Sequence, residues 1–296
     1  MNRYIIFLIA IFFCLSLSGC WNYNELDDLY IVAGMSVDKA KDGELLNVAV
    51  EVINSEETNL KSNIESQVIE ADGISIFDAV REIVKISAKK LYWSHATTII
   101  ISEDVAKEGI LPILDWISRD QEPRLNMNVF ISREKTAKEL LTTITFPTVI
   151  HSFELENIVT ESKDYIDTPI VEVYELTNEF GIPKNHSVLP TVQIVPTSEG
   201  MSNKISSGAV FKGDKLIGYL TESDVLPYLF IKNKVNGGLL HVINKDFPQD
   251  RIILEIFKSK TKIKPVFSDK DISFDLEIST SVNIGELNTK TNIDYL

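Results

Sequence analysis

Leu29-Tyr30-Ile31-Val32-Ala33-Gly34-Met35-Ser36-Val37 and Glu44-Leu45-Leu46-Asn47-Val48-Ala49-Val50-Glu51-Val52-Ile53 are two apolar, β-branched runs separated by a break that contains Lys41-Asp42-Gly43. Branched side chains pack well on a pleated surface, and glycine takes a tight turn at no steric cost. The pair predicts a β-hairpin at the entrance to the fold. A third strand is expected over 67–70, closed by Asp72-Gly73.

Beyond it the hydrophobic period changes from two to that of a helix. Ile76, Phe77, Val80, Ile83, Val84 and Ser87 recur at helical spacing, and Ser75 with Asp78 forms an N-cap with an acidic third position. Ile83 and Val84 are the residues expected against the sheet. Strands over 97–101 and 126–131 bracket a helix over 104–117 whose continuity Gly109 and Pro112 interrupt. Thr136-Ala137-Lys138-Glu139 has the capping-box pattern, and Thr168-Pro169 supplies an N-cap and first helical residue for a helix reaching Glu179. Residues 188–195 read as an extended connector and 197–203 as a polar loop, where the domain boundary is placed. Further strands are expected over 207–211, 215–220, 228–232, 239–243, 251–257 and 272–282. Asn236-Gly237 is a hairpin signal, and a lysine-rich stretch at 258–264 separates the last two strands. The expectation is an α+β chain of several mixed α/β domains. An N-terminal mixed sheet with helices occupies 20–196, a second, strand-rich domain 197–250 and an incomplete third domain 251–296.

Upstream of the hairpin, Met1-Asn2-Arg3 precedes an uncharged stretch whose strongly apolar part, 5–15, is shorter than the ~20 residues a spanning helix needs. It has the length of a signal-peptide core. The stretch ends in Leu17-Ser18-Gly19-Cys20, an aliphatic residue, two small residues and a cysteine, the order of a bacterial lipobox. Small side chains at Ser18 and Gly19 let extended backbone lie in a peptidase groove, and the Cys20 thiol is a nucleophile able to form a thioether with diacylglycerol. Residues 1–19 are therefore read as a leader cleaved between Gly19 and Cys20. Two buried acyl chains of palmitate class contribute on the order of 20 kcal/mol, so no basic patch is needed for membrane attachment.

The composition agrees. Over 296 residues, 43 Asp and Glu face 29 Lys and Arg, a formal charge of −14, which disfavours nucleic acid and anionic lipid as electrostatic partners. Of the two cysteines, Cys14 lies in the leader, so no disulfide framework is available. The four histidines, His95, His151, His186 and His241, are never spaced as metal ligands, and His95 reads as a hydrogen-bonded structural residue. Gly34-Met35-Ser36-Val37-Asp38 has the serine of a nucleophile elbow but lacks the second glycine. Asp269-Lys270-Asp271 fails as a calcium loop because Phe274 and Thr280 occupy its glycine and glutamate positions. The acidic pairs read as solvated surface, and the 258–264 lysines as a guard on an edge strand. No cofactor or metal is expected, and no catalytic residue. Trp116 and Arg119 combine the residue types enriched at interface hot spots, although a core role for Trp116 is the plainer reading.

The run from Gly19 through Leu29 into Ile31-Val32-Ala33-Gly34-Met35-Ser36-Val37-Asp38 resembles the start of the C subunits of spore germinant receptors, the Ger(x)C lipoproteins of endospore-forming Firmicutes. Asp115-Trp116-Ile117-Ser118-Arg119-Asp120 and Ser207-Gly208-Ala209-Val210-Phe211 resemble two later blocks of that family. The resemblance implies three mixed α/β domains without a catalytic site, on the outer face of the spore inner membrane, acting with a polytopic A subunit and a transporter-like B subunit in spore germination. Family members continue past the length seen here, so an ending at Leu296 implies a truncated product or fragment. The alternative class is an extracytoplasmic solute-binding lipoprotein of an uptake system, which requires two similar lobes around a hinged cleft.

Overall fold

The computed structural model describes residues 3–5, 7, 12, 28–54, 65–87, 89–143, 150–161, 168–180, 186–243, 251–268 and 271–288. Gly19, Cys20 and residues 21–27 lie outside the described residues. The described positions among residues 1–12 are helical, and Tyr4, Ile5, Phe7 and Phe12 are exposed rather than packed into the core.

The entrance hairpin forms as the sequence predicts. β1 (Leu29–Lys39) and β2 (Leu46–Asn54) pair antiparallel with Val37 opposite Val48, and β3 (Glu65–Gly73) adds to the far side of β2. In the turn, Gly43 has φ 76° and the Asp42 carboxylate accepts the backbone N–H groups of Glu44 and Leu45. α1 (Ile76–Ser87) then crosses the sheet, capped by Ser75 Oγ, which accepts the Asp78 N–H at 3.2 Å. Ile83 is fully buried. After the short β4 (Lys90–Tyr92) and a single 3₁₀ turn, β5 (Thr98–Ile101) and β6 (Asn128–Ser132) run parallel to β1. Gly109 and Pro112 divide the segment between them into α2 (Glu103–Glu108) and α3 (Leu111–Arg119). α4 (Glu139–Thr142), α5 (His151–Glu161) and α6 (Val173–Phe180) follow.

α6 starts five residues after Thr168, because the backbone of Val171 and Val173 pairs with Val129 and Met127 before the helix begins. Residues 188–195 are not a connector. They belong to β7 (His186–Thr197), which pairs parallel with β6 and antiparallel with β8 (Gly200–Lys212), and a register shift at Pro190/Thr191 accommodates the proline. The loop read at 197–203 is the tight end of that β7–β8 hairpin, so the sheet passes through the expected boundary at 196/197. β9 (Lys215–Leu220) completes a nine-stranded mixed sheet ordered β3-β2-β1-β5-β6-β7-β8-β9, with β4 beside β1. Tyr219 fastens β9 to the first part of the chain. Its hydroxyl donates to Glu103 at 2.8 Å, and the Arg133 guanidinium lies 3.8 Å over its ring.

Residues 222–232 form a helix, α7, where a strand over 228–232 was expected. Thr221 and Asp224 cap it reciprocally and Asn233 ends it in a left-handed conformation, so Asn236-Gly237 follows a helix rather than turning a hairpin. Val225 and Leu229 of α7 pack with Val235 and Ile256. A second sheet joins β10 (Leu239–Ile243), β11 (Arg251–Phe267) and β12 (Ile272–Asn288) across the expected 250/251 boundary. Lys258, Lys260, Lys262 and Lys264 fall within β11, alternating onto one face, while Ile263 and Phe267 share the other with Ile272 and Leu276.

Candidate functional site

Alternation along β1 and β2 decides what each sheet face meets. Met35 and Val37 pair with Ile99 and Ile101 and enter a large apolar core under α1, α2 and α3. Gly34, Ser36 and Asp38 turn to the opposite face with Glu51 of β2 and Thr98 of β5, and this polar row receives the N-terminal ends of α4 and α5. Helix N-termini carry unpaired N–H groups and a partial positive charge, which a carboxylate satisfies. Asp38 accepts the Ala137 and Lys138 N–H groups at 2.6 and 2.9 Å. Burial pushes its carboxyl above the usual range, and those donors together with the Lys138 ammonium only partly offset the rise.

Glu51, fully buried, takes four donors from the first turn of α5: the His151 N–H at 2.8 Å, His151 Nδ1 at 3.1 Å, the Ser152 N–H at 2.8 Å and Ser152 Oγ at 2.6 Å. The other ring nitrogen of His151 lies 2.8 Å from the Thr143 carbonyl. Both nitrogens thus face acceptors, a requirement met only by the doubly protonated imidazolium. Burial alone would lower the histidine pKa, yet the Glu51 carboxylate holds it above its ordinary value. For Glu51 burial acts upward, and the donors outweigh it and hold the carboxyl below the usual range.

Ser152, His151 and Glu51 are the residue types of a hydrolytic triad in the wrong arrangement. The serine hydroxyl donates to the glutamate instead of the histidine, and Ser152 is fully buried. Ser36 and Asp38, read as part of a nucleophile-elbow fragment, are buried in mid-strand. His95 sits in the 3₁₀ turn with its ring 5.8 Å from that of Tyr92. Among the described residues, no group of three His, Cys, Asp or Glu is placed to hold a metal ion, and no helix is long and apolar enough to cross a membrane.

A wide concavity lies on the other side of the sheet. A groove of ≈ 720 Å³ runs between the start of α1 and α3, floored by Leu46, Ile76, Ile113 and Trp116. Ile74 and Phe77 stand on its rim 81% and 51% exposed, although Phe77 belongs to the apolar stripe read from the sequence. Trp116 is both core and wall. It packs edge-on to Trp93 at 5.1 Å and is 7% exposed, and its buried indole N–H has no acceptor among the described residues. Arg119 also lines the groove, its Nε 2.8 Å from both carboxylate oxygens of Asp115. The sequence placed Trp116 in a helix that ended at 117, and the observed helix continues through Arg119. Nothing in the sequence marked Ile74 and Phe77 as exposed.

This fold and its two halves have relatives. Residues 22–194 match the family described as spore germination protein N-terminal domain, and residues 206–296 match the spore germination B3/GerAC-like C-terminal domain. The chain belongs to the GerAC family of spore germination proteins. This GerAC-family chain is 23% identical to spore germination protein B3 of Bacillus subtilis (strain 168) over 93% of its own length and 72% of that relative. It is 25% identical to the putative spore germination protein YfkR of the same strain, over 77% of its own length and 60% of YfkR. The crystal structure of the GerBC protein superposes with a TM-score of 0.52 at 17% identity, covering 93% of this chain and 77% of that one, a likeness of fold. The two family matches part between residues 194 and 206, where the nine-stranded sheet continues without a break.

Proposed function

We propose that this GerAC-family chain is a lipid-anchored, non-enzymatic C-type subunit of a nutrient germinant receptor. A diacylglyceryl thioether on Cys20 holds it on the outer face of the spore inner membrane, where it works through contacts with polytopic A and B subunits. The observation that carries this reading is the position of the family match. It begins at residue 22, two positions after the lipobox cysteine, so the sequence shared with the family begins beside the proposed anchoring point. Confinement to a thin layer at the membrane raises the effective concentration of weak protein contacts, and a subunit of this kind needs no chemistry of its own. The misassembled Ser152-His151-Glu51 cluster is consistent with that role. The solute-binding alternative asks for two lobes about a hinge, whereas here one sheet extends from β3 to β9.

Labelling with radioactive palmitate tests the anchor. The wild-type chain is expected to carry label and to sediment with spore membranes, and Cys20→Ala is expected to lose the label and to impair germination. Label retained in Cys20→Ala, or unchanged germination without it, contradicts the proposal.

A further inference from the structure

The groove between α1 and α3 combines features that favour one chemical class of occupant. Its floor is apolar, and two exposed apolar side chains rim it. Its charges are unevenly committed. Both lining cations already have carboxylate partners, Lys39 with Glu108 at 2.6 Å and Arg119 with Asp115. Glu44 and Asp120, which also line it, have no cationic partner among the described residues. Two further lining carboxylates, Glu108 and Asp115, bring the acidic groups to four against two cations. The whole chain carries −14, so its long-range field attracts the same sign of partner that the rim does.

We propose that this groove receives a cationic amphipathic segment of a partner protein, with an apolar side chain entering against Trp116 and neighbouring lysine or arginine side chains meeting Glu44 and Asp120. Apolar anchors in a groove flanked by helices are a recurrent mode of peptide recognition, and the acidic rim selects the segment by charge. This inference rests on the reading of the chain as a contact subunit and adds the chemistry of the contact.

A photo-crosslinking amino acid placed at Phe77 of the full-length chain in sporulating cells tests it, with the exposed Ile217 of β9 as the control position. The peptide joined at residue 77 is expected to contain apolar residues flanked by Lys or Arg, and mass spectrometry of the linked peptide reads this directly. Glu44→Lys combined with Asp120→Asn is expected to reduce that yield about tenfold while leaving crosslinking from residue 217 unchanged. The asparagine keeps the side-chain oxygen that accepts the Glu122 N–H, so the loop after α3 retains its bond. No crosslink at residue 77, an acidic linked peptide, or a yield insensitive to the charge change overturns the inference. Palmitate labelling at Cys20 is independent of this outcome, so failure of the groove and failure of the anchor are separately visible.

Discussion

Glu51→Gln is expected to cost about 3–5 kcal/mol of folding stability, the loss typical when one member of a buried ion pair is removed. The carboxylate accepts four hydrogen bonds from two adjacent residues, and an amide oxygen replaces at most half of that capacity. The amide nitrogen would turn its hydrogens toward groups that are themselves donors, either those of His151 or those of Ser152. The His151 imidazolium, 8% exposed, would remain without its anion, with Glu154 one turn along α5. Urea denaturation of the wild type and the variant measures the difference.

The same pair gives the wild type a pH signature. His151 has a folded pKa above its ordinary value, so its contribution is fully present below about pH 6.5 and is lost as pH rises through the raised folded value. Glu51 has a folded pKa below its ordinary value. Its contribution is present above about pH 4.3 and is lost as pH falls through the depressed folded value. Stability is therefore expected to decline on the alkaline side of the histidine transition, and Glu51→Gln is expected to flatten that decline. An unchanged alkaline slope in the variant would show that His151 is not held as the cation.

Gly34→Ala is the second large effect, about 3 kcal/mol, at the upper end of overpacking because the neighbours are held in place. A Cβ at this position would stand 2.3 Å from Ser152 Oγ, 2.8 Å from Ser152 Cβ and 2.8 Å from the Thr98 carbonyl oxygen. Ser152 cannot withdraw without leaving Glu51, and Thr98 belongs to a central strand that also donates from its hydroxyl to the Ser152 carbonyl. The cost here is contact, not conformational freedom. α5 rests so closely on β1 that only a hydrogen fits between them. Thermal unfolding of Gly34→Ala should show a single transition at lower temperature, and a melting temperature equal to the wild type would mean that α5 does not sit on this strand.

What the sequence disclosed and what it concealed follow from the range of the interactions. The β1–β2 hairpin, the N-cap of α1 and the break between α2 and α3 are local, so strand-forming runs, Ser75 with Asp78, and Gly109 with Pro112 announced them. β7 was hidden by Pro190 and Pro196, which weaken the strand pattern although β7 reaches full pairing with β8. α7 carries Pro227 within it, and that proline obscured a helix whose capping signal, Thr221 with Asp224, was present. Four alternating lysines masked the continuity of β11, whose opposite face carries Ser259 and Thr261 before Ile263 and Phe267. The Glu51–His151–Ser152 cluster joins residues a hundred positions apart and had no local trace. The groove was half legible: Trp116 and Arg119 stood out by type, while Phe77 matched a buried stripe and is exposed because the helix start lies open at that edge.

The proposed role turns on a lipid carried by the Cys20 sulfur. The most direct test is mass spectrometry of the N-terminal peptide of the chain isolated from spore membranes. A peptide that begins at Cys20 and carries a diacylglyceryl mass on its sulfur is expected. A mature chain beginning elsewhere, with that sulfur unmodified, would contradict it.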